Sequence, residues 1–128
     1  MSVMIEVSYG ELFDKISILE IKSVQVTDPV KRANVNLELS RLRRVLAEQI
    51  QADETTSELY AQLHQINEAL WSVEDLLRDK ERDQLFDERF VELARSVYRL
   101  NDERARLKRE LNTRLGSEIV EEKNYRPY

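Results

Sequence analysis

The chain contains no cysteine, which removes disulfides, thiol nucleophiles and zinc knuckles together. Glycine and proline are nearly as scarce, with two of each among 128 residues: Gly10, Gly116, Pro29 and Pro127. Phosphate-cradling loops need closely spaced glycines so that the backbone can approach the ligand, and here the two lie at opposite ends of the chain. Rossmann and P-loop sites are therefore excluded, as is a nucleophile elbow of the G-x-S-x-G type. Histidine occurs once, as His64, so a Ser/His/Asp relay would have to be built on that residue. No apolar run approaches the about 20 residues that cross a bilayer, and Met1 to Ser8 lack the basic and apolar regions of a secretory leader. The expectation is a cytoplasmic protein with no membrane segment.

Charge and helix-forming residues are what the chain does hold. Charged residues make up 35% and hydrophobic residues 41%. The 20 Lys and Arg against 25 Asp and Glu leave a net charge of -5, so no global positive field draws the molecule to nucleic acid or anionic lipid. The stretch Arg95 to Arg114 is locally basic, but Asp102, Glu103 and Glu110 dilute it, and no helix-turn-helix or zinc pattern accompanies it. Nucleic acid is disfavoured as a partner.

Everything from Val30 to Leu115 lacks both Gly and Pro and reads as helix, with breaks supplied by capping chemistry and by slips of hydrophobic phase. Val3, Ile5 and Val7 alternate with polar or weaker positions, as a strand or extended arm would. Ser8 with Glu11 forms a capping box for a first helix, whose apolar face carries Leu12, Ile16 and Leu19, widened by Phe13, Ile18 and Ile21. Asp28 and Pro29 suit the cap and first turn of a second helix, which carries Val35, Leu39, Leu42 and Leu46 and ends near Gln51. Thr55 and Glu58 are a capping-box candidate for a third helix, whose stripe Leu59, Leu63, Ile66, Leu70, Val73 and Leu77 is the cleanest in the chain. The next series, Phe86, Phe90, Leu93, Val97 and Leu100, is out of phase with it, predicting a turn or a kink within Lys80 to Leu85. Gly116 suits the left-handed position that ends a fourth helix. The expected fold is all-α, one domain over residues 1–128, an antiparallel bundle of about four long helices with short extended N- and C-terminal arms.

Carboxylate pairs at i, i+4, such as Asp75/Asp79 and Asp83/Asp87, are interleaved with Arg78, Lys80 and Arg82 and read as a solvated, salt-bridged surface. Residue 61 is Ala, so the Glu-x-x-His pattern of di-iron bundles fails and no metal site is expected. His64 lies one position after the core residue Leu63 and reads as the flank of the core. Beside the third helix's seam runs a mixed line, Tyr60, His64, Asn67, Trp71, Glu74 and Arg78, read as an interface flank in preference to a pocket. Arg104 interrupts the seam of the fourth helix. A buried guanidinium is costly unless paired, so it snorkels, meets a carboxylate such as Glu20 or Glu74, or awaits an anion.

The segments EVSYGELFDKISILEIK (Glu6 to Lys22), ALWSVEDLLR (Ala69 to Arg78), ARSVYRLND (Ala94 to Asp102) and IVEEK (Ile119 to Lys123) resemble a family of small uncharacterised bacterial and phage helical proteins, a domain of unknown function. The resemblance implies a stand-alone helical domain and brings no reaction, cofactor or catalytic residue. Two functions follow from the residues. The first is a non-enzymatic helical interaction protein forming homo-oligomers, whose apolar seams and flanks exceed what one protomer buries. The alternative is a small enzyme or binding protein for an anionic metabolite (phosphate, nucleotide sugar or carboxylate), with Lys15, Lys22, Asn67, Glu74, Arg78, Tyr98 and Arg104 converging on a polar cavity in the bundle. Neither reading calls for a cofactor.

Overall fold

In the computed structural model, which describes residues 1–128, four α-helices hold 74% of the chain and there is no strand. They are α1 (Tyr9–Gln25), α2 (Pro29–Gln49), α3 (Glu54–Arg82) and α4 (Glu88–Leu115). Each begins where a short oxygen-bearing side chain meets a free amide of the first turn. Ser8 accepts from the Glu11 amide at 3.1 Å and Asp28 from Lys31 at 3.0 Å. At the third start, Asp53, not the expected Thr55, is the cap: its carboxylate accepts from the Thr56 amide at 2.8 Å while Arg114 Nη2 lies 2.7 Å from the same group. A cap that also clamps the end of α4 does more for the fold than a hydroxyl two residues further in.

The phase slip after Lys80 resolves as a turn. Gln84 takes φ 55, Asp87 caps α4 through the Phe90 amide at 2.9 Å, and Lys80 Nζ donates to Asp87 at 2.8 Å across the bend. Gly116, at φ 71, ends α4 in the left-handed conformation that a side chain disfavours.

The two longest helices form an antiparallel hairpin, tied by Asp53 and Arg114 at one end and by Lys80 and Asp87 at the other. Helix α1 lies across the half of the hairpin nearer Asp53. Its N-terminal end meets α4, where Gly10 donates to Asn112 Oδ1 at 2.6 Å, and its C-terminal end meets α3, where Tyr60 donates to Glu20 at 2.7 Å. The crossing is close enough that a Cβ on Gly10 would stand 2.4 Å from the Lys108 carbonyl oxygen.

The core forms on the two sides of α1. Phe13 packs with Leu59, Leu63, Leu107 and Leu111, and Leu12, Ile16 and Leu19 pack with Leu39 of α2. Helix α2 is an outer layer with one fully buried residue, Leu39, and reaches the hairpin core through Leu46 and Ile50. The N-terminal arm, Met1 to Val7, is extended and exposed, and its backbone makes no hydrogen bond within the chain. The C-terminal tail meets the start of α1 through Glu121, which accepts from Ser8, and then returns along α4 by Arg109 to Glu122 at 2.6 Å and by the Tyr98 and Tyr128 rings.

Candidate functional site

The larger concentration of polar groups inside the molecule lies where α1 crosses the hairpin. Asp14 is 1% exposed, and Arg104 approaches it with two guanidinium nitrogens, Nε at 3.0 Å from Oδ1 and Nη2 against Oδ2. Asn67 Nδ2 donates to the same carboxylate at 3.0 Å and to Ser17 Oγ at 3.1 Å. Lys108 Nζ stands 3.8 Å from Asp14 and donates to Glu11 at 2.6 Å. On the other side, Ser17 Oγ lies 3.0 Å from His64 Nδ1, and His64 Nε2 lies 2.9 Å from Glu68. Glu20 closes that end, 4.0 Å from His64 Nδ1 and accepting from the Tyr60 hydroxyl.

The electrostatics of this cluster are self-contained. A buried carboxylate is tolerated only when its charge is matched and its lone pairs are filled, and Asp14 has a bidentate guanidinium, an amide donor and a nearby ammonium. The bond to Asp14 holds the Arg104 pKa above its ordinary value, against the pull of burial. Burial, then the hydrogen bond to Glu20, raises the Tyr60 hydroxyl pKa well above its ordinary value. A second, smaller cluster joins the tail to the body. At Glu121, burial pulls the carboxyl pKa upward, but hydrogen bonds from Ser8 and Asn112 and the charge of Lys108 together hold it below its ordinary value.

Of the residues expected to converge, the structure brings Asn67 and Arg104 together on Asp14. Lys15 points to solvent, 3.8 Å from Glu11. Lys22 is half-buried at the end of α1 and makes no ion pair. Glu74 and Arg78 pair with each other at 3.9 Å on the exposed face of α3, and Tyr98 stacks edge-on against Tyr128 at 4.8 Å under the tail. The carboxylate that answers Arg104 is Asp14, not Glu20 or Glu74, because Asp14 faces α4 where α1 crosses it, whereas Glu20 faces Tyr60 and His64.

Asp14, Ser17, Glu11 and Lys108 complete the cluster; of these the sequence points only to Glu11, as the capping-box partner of Ser8, whereas its carboxylate goes to Lys108 and Lys15. Their signal was present: Gly10, Asp14, Ser17 and Ile21 recur on 4, 3, 4 spacing, a second buried line beside Leu12, Ile16 and Leu19. Its small and polar members conceal it from a search for apolar stripes.

Ser17, His64 and Glu68 have the composition of a hydrolytic relay. The Ser17 hydroxyl, however, is 0% exposed and already accepts from Asn67, so no substrate carbonyl can reach it. No group of three His, Cys, Asp or Glu side chains is placed to hold a metal ion, and no helix is long and apolar enough to cross a membrane.

No curated protein and no solved structure matches the chain. A family model described as "Family of unknown function (DUF6165)" matches residues 3–127, nearly the whole length and all of the elements described above, and the chain belongs to that family.

Proposed function

We propose that this protein is a non-enzymatic helical interaction protein that assembles with copies of itself through the half of the α3/α4 hairpin that α1 does not cover. The observation that carries this is a mismatch of lengths. Helix α1 has 17 residues, about 25 Å at 1.5 Å per residue, while α3 has 29, about 43 Å. The hydrogen bonds of α1 to the hairpin reach no further toward its turn than Asn67 on α3 and Arg104 on α4, and beyond them the C-terminal tail meets α4 at Tyr98.

There Leu70, Val73 and Leu77 face Phe90, Val97 and Leu100, all half-buried, and Leu93 alone is fully buried. Leu76, Leu85, Phe86 and Val91 around them are 44% to 53% exposed. Two helices alone form one seam with no second layer to dry it, and amphipathic helices owe most of their stability to packing. A second hairpin laid against the first completes a four-helix arrangement and covers these side chains.

The anion-binding alternative has less support at the polar cluster. Arg104 and Lys108, the cations that would clamp a ligand, are already neutralised by Asp14 and Glu11. Sedimentation equilibrium over a wide concentration range is the test. A dimer or higher assembly is expected, and Leu76→Glu with Val91→Glu, both at exposed positions, should give a monomer of unchanged helicity. A wild-type chain that sediments only as a monomer would sink the proposal.

A further inference from the structure

The C-terminal tail does not lie flush on α4. Between them is an open cleft of about 880 Å³, within the range of small-molecule sites. Its walls are of three chemical kinds. Tyr98 from the helix and Tyr125 and Tyr128 from the tail supply rings. Asn101 and Asp102 supply hydrogen-bonding groups, and Lys123 and Arg126 supply positive charge.

No carboxylate engages either cation of this wall. Arg106, Lys108 and Arg109, on the neighbouring stretch of α4, are each paired with a carboxylate, whereas Lys123 and Arg126 take part in no ion pair. Lys123 Nζ rests 5.7 Å above the Tyr125 ring, a contact an anion can outcompete at this exposed site. A smaller cleft of about 350 Å³ adjoins, sharing Asp102 and Lys123 and lined by the three paired cations.

We propose that this cleft binds a mononucleotide, with the base against the tyrosine rings and the phosphate toward Lys123 and Arg126. Base stacking on aromatic rings is sequence-tolerant, and charge-assisted bonds to phosphate are among the strongest a surface offers. Asn101 presents an amide to ribose hydroxyls or a base edge, while Asp102 accepts from the Tyr128 hydroxyl and holds that ring against Tyr98. Competing ligand classes fit less of the wall. A quaternary ammonium would suit the rings and Asp102 but meets two positive charges, and an apolar molecule would desolvate both cations without compensation. The cleft lies outside the buried polar cluster, and its occupancy does not depend on self-association.

The test is calorimetric titration of the full chain with AMP and UMP, with adenosine and inorganic phosphate as the separated halves of the ligand. The nucleotides should bind at least about tenfold tighter than either half. Lys123→Ala with Arg126→Ala should weaken AMP by about tenfold or more and leave adenosine unchanged, while Tyr98→Ala should weaken both. These residues are in the exposed tail or on the α4 surface, so circular dichroism should show the fold retained. Absence of saturation at millimolar nucleotide overturns the proposal, as does AMP binding no tighter than inorganic phosphate, the mark of a bare anion site. Indifference of AMP affinity to all three substitutions would also overturn it.

Discussion

The two halves of the α3/α4 hairpin carry the same 4, 3 apolar spacing and end in very different environments. Near Asp53, Leu59, Leu63, Leu107 and Leu111 are at most 8% exposed, whereas Leu70, Val73, Leu77, Val97 and Leu100 in the other half are only half-buried. The difference is α1, which adds a layer to one half and pins it with Asp14, Arg104, Asn67 and Ser17. Seam spacing thus dictates which helices pair, while the number of layers decides how dry the seam becomes and how costly a polar intruder is.

That contrast is broken most severely at Leu63, which is 0% exposed. Leu63→Asp should cost more than about 4 kcal/mol and remove the cooperative melting transition, because a carboxylate would enter a core with no partner for it. The same change at Leu76, 44% exposed on the uncovered half, should leave the melt within about 1 kcal/mol of wild type at concentrations low enough for the wild-type chain to be monomeric. Equal effects at the two sites, read by thermal denaturation, would refute the layered account.

The polar pins give the next largest effect. Asp14→Ala leaves a half-buried guanidinium and a nearby ammonium without their shared carboxylate, with an expected loss of about 3 kcal/mol. Asp14→Leu combined with Arg104→Met should recover much of it, since apolar replacement of a buried pair is often neutral. The ion pair of Glu74 and Arg78, at 3.9 Å with both side chains at least half exposed, is the comparison: Glu74→Ala should cost at most about 1 kcal/mol. Urea titration of all three variants checks the ranking.

This division was half legible in the amino-acid order. Helix number and most boundaries follow from Ser8, Asp28, Gly116 and the phase of the leucines, which act locally. The cap at Asp53 was missed because its advantage over Thr55 comes from Arg114, 61 positions away. Arg104 announced itself by interrupting a seam, but its partner did not, because a short carboxylate at Asp14 reads as solvent-facing until α4 is placed over it. The uncovered half of the hairpin was invisible for a related reason: periodicity records that a face is apolar and not which element reaches it. The cleft under the tail was out of reach altogether, since Tyr125 and Arg126 belong to a segment with no periodicity.

Close approach of α1 to α4 supplies a sharper and smaller test of the covered half. Gly10 is helical, so alanine there would ordinarily gain up to about 1 kcal/mol of helix propensity. At this position the added methyl would stand 2.4 Å from the Lys108 carbonyl oxygen and 3.0 Å from Asn112 Oδ1. A carbonyl in the middle of α4 cannot swing aside, so α1 must lift, and the net result should be a loss of about 1–3 kcal/mol. A Gly10→Ala protein that melts higher than wild type would show that the crossing is looser than described.

The smallest expected effect compares the carboxylates at the two ends of the hairpin. Asp53 is held well below the ordinary aspartate pKa, first by the Thr56 amide and then by Arg114, while Asp87 is held down by Lys80 and then by the Phe90 amide. A carboxyl whose pKa is lower in the folded than in the unfolded chain stabilises fully above the ordinary carboxylate range, and that contribution is lost as pH falls through the folded value. Thermal melts should therefore be flat near neutrality and decline below about pH 4. Asparagine keeps the capping oxygen and removes the charge. Asp53→Asn should flatten the acid decline more than Asp87→Asn, because Asp53 has the deeper depression and joins α3 to the end of α4 in the covered half. Both groups are exposed, so moderate salt should shrink the difference. If Asp87→Asn flattened the decline as strongly, the two ends of the hairpin would be equally coupled to global unfolding, and the uncovered half would be no weaker than the covered one.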